Sequence, residues 1–181
     1  MQGARHNGVV TSDHNPFVPP IEDREPLRRF RGRLASPVTI VTAGSGRDRS
    51  GLTVSSLFVI EGEPGRIHLV IGPLTDLWDV IEETGRCVVH IARSRHHAAA
   101  DVFAGLRPSP GGPFAAVETA DSEWGPVIVE MPDRAYCRLI STEEVGWSGV
   151  IETEVDRVEL SEGAEPLIHH RGSYHGLGDT I

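Results

Sequence analysis

Two strand-like segments joined by a short polar turn constrain the fold of this chain more than any other feature. Residues 34–42 read Leu-Ala-Ser-Pro-Val-Thr-Ile-Val-Thr, and residues 51–56 read Gly-Leu-Thr-Val-Ser-Ser. Five of the nine residues in the first segment are β-branched, as are Thr53 and Val54 in the second, and residues 43–50 between them are mostly glycine, serine, arginine and aspartate. Such a pattern predicts two β-strands joined by a hairpin turn. The small side chains at the end of the second strand would let a ligand approach its backbone closely.

Further strand-like runs, separated by glycine, proline and acidic breaks, continue to the end of the chain. The predicted strands are Val38–Thr42, Leu52–Ile60, Ile67–Ile71, Cys87–Ala92, Ala135–Ser141, Val150–Glu159 and Leu167–His169. The two helices interposed between strands do not produce a βαβ rhythm. The pattern therefore indicates a mainly β, antiparallel barrel-like domain with peripheral helices.

Three segments have the signature of short helices. Residues 24–34 place apolar side chains at helical spacing, and residues 96–103 are rich in alanine. Between them, Thr75 is suited to cap the start of a helix and Gly85 to end it. We expect an N-terminal arm over residues 1–22, one domain over residues 23–175 and a tail over residues 176–181.

Composition excludes several classes of function. All 17 basic residues are arginine, so Schiff-base chemistry and a lysine-dependent phosphate loop are excluded. The net charge of −9 argues against a nucleic-acid surface, and no apolar run reaches membrane-spanning length. Six arginines fall within the first 33 residues, where alternating acidic residues favour a solvated, charge-paired arm. We expect a cytoplasmic protein that binds neither nucleic acid nor membrane.

Several short segments resemble functional motifs but lack a residue or geometry that the motif requires. Residues 46–51 have the glycine spacing of a phosphate loop, but Leu52 stands where lysine is required. Residues 146–149 approach a nucleophile elbow, but Val150 replaces its final glycine. His169 and His170 would point to opposite faces of a strand, so we expect no metal site. Cys87 and Cys137 each lie in an apolar run and are expected to be buried, reduced thiols.

In order along the chain, these segments resemble the flavin reductase-like family of small FMN-binding split barrels. The family has a similar Leu-Ala-Ser-Gly-Val-Thr-Val-Val-Thr strand, a Gly-x-Thr-Val-Ser-Ser strand and a His-Arg-Gly-x-Tyr ending. The last of these corresponds to residues 170–174 here, and the match runs from about Pro26 to Tyr174. The resemblance implies a mainly β, antiparallel Greek-key split barrel with two or three peripheral helices.

The resemblance also implies cofactor-binding residues. The strand with Thr53, Val54, Ser55 and Ser56 would pass along the FMN, although an ordinary edge strand would look similar. Phe103 corresponds to a family segment that comes near the flavin, and His170 and Tyr174 belong to the family ending. These three residues are further candidates, although they could equally be core or turn residues.

Two departures from the family pattern affect the expected site. The family loop that holds the phosphate, typically Asn-Arg-Ser-Ser-Arg-Thr, corresponds to residues 72–77, where Thr75 and Leu77 remain candidate contacts. Asp76 would repel a phosphate there by about 1 kcal/mol or more. FMN could therefore bind weakly, be held by a distant arginine, or be replaced by FAD or a deazaflavin. Trp147 stands where the family often has histidine, and it could stack on a flavin or substrate ring.

By this resemblance the chain is an NAD(P)H-dependent flavin (FMN) reductase. NADH or NADPH would be the co-substrate, no catalytic side chain would be obligatory, and a partner monooxygenase could receive the reduced flavin. The resemblance also implies a homodimer with the flavin site near the interface. Two alternatives remain open: a flavin- or deazaflavin-binding oxidoreductase with a dedicated substrate, and a non-catalytic cofactor-binding barrel.

Overall fold

The computed structural model describes residues 25–163 and 165–177. Within them it contains three α-helices, α1 (Glu25–Arg31), α2 (Asp76–Thr84) and α3 (His97–Phe103), and two 3-10 turns at Ser94–His96 and Pro113–Ala116. The strands are β1 (Ser36–Pro37), β2 (Thr39–Ala43), β3 (Ser50–Val54), β4 (Leu57–Ile60), β5 (Arg66–Ile71), β6 (Arg86–Ile91), β7 (Thr119–Ala120), β8 (Val127–Ile128), β9 (Arg134–Val145), β10 (Ser148–Glu159), β11 (Ile168–His170) and β12 (Ser173–His175).

One seven-stranded antiparallel sheet dominates the molecule. Its strand order is β3-β2-β6-β9-β10-β5-β4. The two outer strands of this order, β3 and β4, follow one another directly in the chain, so the sheet must curl to bring its two ends together. The expectation of a mainly β, antiparallel, barrel-like fold with two or three surrounding helices is confirmed.

Two smaller sheets flank the large one. β1, β11 and β12 form a three-stranded antiparallel sheet in which Ser36 lies opposite His169, and β7 pairs with β8. The backbone bond from the N–H of Val38 to the carbonyl of Leu167 (3.1 Å) continues the pairing of β1 with β11 towards the large sheet. The C-terminal hairpin is thereby fixed to the start of β2.

The main core lies between α2 and the concave side of the curled sheet. Leu77, Trp78 and Ile81 form the buried stripe of α2. They pack against buried apolar residues of the sheet, which include Val41, Val54, Leu69, Cys87, Val89, Cys137 and Ile151. The thiols of Cys87 and Cys137 are free and buried, as predicted, and the two residues face one another across β6 and β9.

The capping signals of α2 behave as predicted. Thr75 caps its start, and Gly85 ends it in the left-handed conformation, with φ 67°. These features depend on neighbouring residues alone, which explains their predictability.

The clearest differences from the predicted elements lie in three places. The strand predicted over Leu52–Ile60 is divided, because the chain leaves β2 after Val54 and joins β5 at Leu57. β9 extends to Val145, beyond the predicted end at Ser141. After the last predicted strand, Leu167–His169, the chain forms one more strand, β12, that was not predicted. The arm predicted for residues 1–22 lies outside the described residues.

No helix in the described part of the chain is both long and apolar enough to cross a membrane.

Candidate functional site

The interruption between β3 and β4 lies at the predicted flavin strand. The ladder with β2 ends where Val54 faces Thr39, and the ladder with β5 begins where Leu57 faces Leu69. Ser55 and Ser56 lie between these ladders and are half-buried. The carbonyl of Ser56 accepts a hydrogen bond from the N–H of Val70 (2.8 Å). The interruption therefore presents two small hydroxyl side chains and non-ladder backbone at one point of the barrel wall.

Thr53 and Val54 are engaged differently from the two serines. The hydroxyl of Thr53 donates a hydrogen bond to the carbonyl of Ala100 in α3 (2.7 Å). The side chain of Val54 is buried in the core, and its carbonyl accepts a hydrogen bond from the hydroxyl of Thr39 (2.6 Å). These two residues hold the strand in place, so Ser55 and Ser56 are the better placed of the four to contact a ligand.

The start of α2 is the second predicted contact region. The hydroxyl of Thr75 donates to the carbonyl of Gly72 (2.8 Å) and accepts from the N–H of Trp78 (3.4 Å). The side chain of Leu77 is buried in the core, so only its backbone could face a ligand. Asp76 is the first residue of the helix, where its carboxylate stabilises the helix dipole and repels other anions. Contact of Thr75 and Leu77 with a flavin stays a prediction.

Trp147 lies near the start of α2 across the sheet. It stands in the β9–β10 turn, and its side chain is 48% exposed. Two residues further on, Gly149 faces Ile71 at the end of β5 and contacts the ring of Trp78. The carbonyl of Ser56 is hydrogen-bonded to Val70, the residue before Ile71. The turn, the start of α2 and Ser56 are therefore linked through the end of β5.

Phe103 and Tyr174 lie around α3, on the other side of the interruption. Phe103 is buried and packs edge-to-face on Phe114, with ring centroids 5.2 Å apart. Tyr174 is half-buried and packs against a cluster that includes Ala100. Burial raises the pKa of Tyr174, and the nearby carboxylate of Asp101 raises it further. Ala100 thus connects Tyr174 to Thr53.

His170 stands at the tip of the C-terminal hairpin, where its ring lies 6.0 Å from that of His175. The structure thus divides the predicted residues into two groups. Ser55, Ser56, Thr75, Leu77 and Trp147 lie around the start of α2, whereas Thr53, Phe103 and Tyr174 lie around α3. Contact of any of these residues with a flavin stays a prediction. Among residues 25–163 and 165–177, no three His, Cys, Asp or Glu side chains are grouped closely enough to hold a metal ion.

The sequence interpretation missed a group of arginines. Arg29, Arg33 and Arg171 together line a pocket, whereas the N-terminal arginines were predicted to be solvated and charge-paired. Pairing of β1 with β11 brings these distant parts of the chain together. The run of arginines in residues 28–33 was the only signal in the sequence.

Comparison with known families decides the identity of the fold. Residues 31–178 match the flavin reductase like domain. The chain belongs to the flavin reductase-like family. The family match covers both of the groups described above and the C-terminal hairpin.

Characterised members of the flavin reductase-like family align with nearly the whole chain. The FMN reductase (NADH) RutF of Ancylobacter novellus is 29% identical over 162 residues, which cover 89% of each protein. The reductase component of 4-hydroxyphenylacetate 3-monooxygenase from Thermus thermophilus is 27% identical over 85% of this chain and 97% of the relative. Among solved structures, the NADH:FAD oxidoreductase SgcE6 of Streptomyces globisporus superposes with a TM-score of 0.78 at 21% identity, over 90% of this chain and 98% of that one.

Proposed function

We propose that this protein is an NAD(P)H-dependent flavin reductase that transfers hydride from the nicotinamide to FMN. The observation that carries the proposal is the family match over residues 31–178. The relatives from Ancylobacter novellus and Thermus thermophilus are named as an NADH-dependent FMN reductase and as the reductase component of a monooxygenase. The interrupted strand at Ser55 and Ser56 supports the same conclusion, because small side chains there leave room for a flat ring system.

The residues of the interruption would bind and orient the ring. FMN, when bound, supplies the chemistry by accepting the hydride from the nicotinamide. Backbone N–H groups of Ser55 and Ser56, outside the ladder with β2, would donate hydrogen bonds to the pyrimidine edge and stabilise the negative charge that develops there. Thr53 holds the strand against α3, so this backbone is fixed before the ligand arrives. No side-chain acid or base is required, because the protein contributes position and electrostatics.

The start of α2 favours a second candidate function. Thr75 uses its hydroxyl to cap the helix, and Asp76 places a negative charge where a flavin phosphate would bind. A flavin or deazaflavin cofactor whose tail places no phosphate beside Asp76 would avoid this repulsion. Such a protein would retain its cofactor tightly and turn over only with a dedicated second substrate.

We further propose a cytoplasmic homodimer that delivers reduced flavin to a monooxygenase. β4 ends the strand order of the large sheet and exposes Phe58 (66%) and Val59 (65%) beside Ile60. Exposed apolar side chains on an edge strand are a liability that a second copy would cover. Analytical ultracentrifugation tests the dimer: Phe58→Asp combined with Val59→Asp should shift a dimer to monomer, and a wild-type monomer would contradict the proposal.

The reductase proposal is tested by following NADH and NADPH oxidation with and without added FMN, FAD and riboflavin. We expect oxidation that depends on flavin and saturates with it, well above the rate without protein. Tight cofactor retention without such oxidation would favour the second candidate. Absence of both flavin binding and oxidation would contradict both candidates and leave a non-catalytic barrel.

A further inference from the structure

A basic pocket lies where the end of α1 meets the C-terminal hairpin. It has a volume of about 380 Å³ and is lined by Arg29, Gly32, Arg33 and Arg171. The N–H of Arg171 donates a hydrogen bond to the carbonyl of Gly32 (3.0 Å), which ties the hairpin turn to the helix end. Three arginines from two distant parts of the chain therefore line one pocket.

The charge of this pocket is uncompensated for two of the three arginines. In the part of the chain that the structure describes, neither Arg33 nor Arg171 forms an ion pair with a carboxylate. By contrast, Arg66 and Arg93 contact Glu154 and Asp133 at 2.8 Å and 2.6 Å. In a protein with a net charge of −9, acidic partners are abundant, so a cavity with two unpaired guanidinium groups is suited to an anion.

The position of Arg171 in its turn strengthens this interpretation. Arg171 and Gly172 both have positive φ, 50° and 80°, in the two-residue turn between β11 and β12. Turns of this kind favour asparagine or glycine at the first position, because a longer side chain makes the left-handed conformation unfavourable. Arginine in this position presents a guanidinium group at the pocket that asparagine could not supply.

Compensation of the α1 helix dipole does not explain why all three arginines line the pocket. Arginines in the last turn of α1 would offset the negative helix end in any case. However, Arg171 belongs to another element, and the carbonyls of Arg28, Phe30 and Gly32 already accept backbone hydrogen bonds. Within the described residues, the guanidinium groups of Arg33 and Arg171 therefore remain available for a ligand outside the helix.

We propose that Arg29, Arg33 and Arg171 bind a phosphate group of the nucleotide that the enzyme uses, either the flavin phosphate or the phosphates of NAD(P)H. This inference rests on the proposed reductase function for the identity of the ligand. The start of α2 carries Asp76 and offers no arginine, so a nucleotide phosphate needs a cationic site elsewhere. The hairpin that carries Arg171 also carries Tyr174, which packs beside α3. The pocket is thus connected to one of the two groups of candidate residues.

The direct test is a calorimetric titration of the full-length protein with inorganic pyrophosphate at low salt. Arg33→Gln and Arg171→Asn should each weaken binding roughly tenfold or more, as expected for loss of a charge-assisted hydrogen bond. Asparagine is chosen at residue 171 because it tolerates the turn conformation. Arg31→Gln, two residues before Arg33 but outside the pocket lining, is the matched control and should bind as the wild type does. Equal binding by all four proteins, or none by the wild type, would overturn the proposal.

The same variants identify the source of the phosphate. If the pocket binds the flavin phosphate, Arg33→Gln and Arg171→Asn weaken binding of FMN but not of riboflavin. If it binds the dinucleotide, they raise the KM for NADH or NADPH and leave that for reduced nicotinamide riboside, which carries no phosphate, nearly unchanged. Unchanged values for both nucleotides would overturn the nucleotide assignment. The pyrophosphate titration needs no turnover, so failure of the reductase proposal would be recognised separately.

Discussion

The ring of Trp78 lies directly against the Cα of Gly149: a Cβ at residue 149 would stand only 2.1 Å from Cζ3 of the ring. This contact joins the first turn of α2 to β10. Because α2 begins beside Thr75 and β10 begins beside Trp147, it sets the distance between two candidate contact regions of the flavin site. The absence of a side chain at residue 149 is therefore a requirement of the fold near the site.

Gly149→Ala should destabilise the protein by about 1–3 kcal/mol, because the ring of Trp78 would have to move within a packed core. Urea unfolding followed by circular dichroism measures the change. Gly65→Ala is the matched control, since its nearest neighbours would be 3.7 Å from the new methyl group. Equal stability of the two variants would contradict the proposed packing requirement.

Thr53→Val should lower the free energy of unfolding by about 1 kcal/mol, because the carbonyl of Ala100 loses the hydrogen bond from the Thr53 hydroxyl and keeps the one from the N–H of Ala104. Thr53→Ser keeps the hydroxyl and should remain close to the wild type. Thermal unfolding of both variants gives the comparison. If the valine variant were as stable as the serine variant, the bond between β3 and α3 would not contribute to holding the strand.

His90 should make stability depend on pH. Its Nδ1 lies 3.0 Å from the carbonyl of Ile40, and its Nε2 accepts a hydrogen bond from the N–H of Ile128 (3.1 Å), so the buried ring is neutral. Burial lowers the pKa of His90 from 6.5 to about 4; the bond to Ile40 opposes this shift, and the charge of Arg134 adds to it. The unfolded chain therefore takes up a proton before the folded protein does.

The resulting stabilisation is fully present above about pH 6.5 and should be lost as the pH falls towards 4, with an upper limit of about 3 kcal/mol. Urea unfolding between pH 7 and pH 4 measures the slope of the free energy of unfolding against pH. His90→Gln, whose amide can donate and accept in the same way, should flatten it, whereas His97→Gln at an exposed position should not. An unchanged slope in the His90 variant would assign the pH dependence to other groups.

Ser55→Tyr should weaken FMN binding at least about tenfold, because a large side chain would occupy the interruption that the ring needs. Ser50→Tyr places the same side chain at the other end of β3 and should bind FMN as the wild type does. Flavin fluorescence titration gives both dissociation constants, and circular dichroism checks that the variants fold. Equal affinities would place the flavin elsewhere.

Local signals explain which parts of the structure were predictable. The cap at Thr75 and the stop at Gly85 act through neighbouring backbone, so the sequence alone was enough to predict α2. The division at Ser55 and Ser56 was not predicted, because two serines do not by themselves end a strand and the change of partner depends on distant strands. Phe103 was rightly given two interpretations, since helical spacing cannot distinguish a core residue from a ligand contact.

Long-range pairing explains what the sequence could not reveal about the site. Arg33 and Arg171 meet only because β1 pairs with β11, and Gly149 meets Trp78 only because α2 packs on the curled sheet. Neither contact has a signature in the residues around it. The family was therefore predictable from the resemblance, whereas the arrangement of the candidate residues required the fold.

The most direct measurement of the central claim is hydrogen–deuterium exchange by mass spectrometry, with and without saturating FMN. If the flavin binds along the interrupted strand, amide exchange should slow across residues 52–57 and near the start of α2. Exchange in β7 and β8, which form a separate small sheet, should stay unchanged. Protection confined to other segments, or no protection at saturating FMN, would contradict the account.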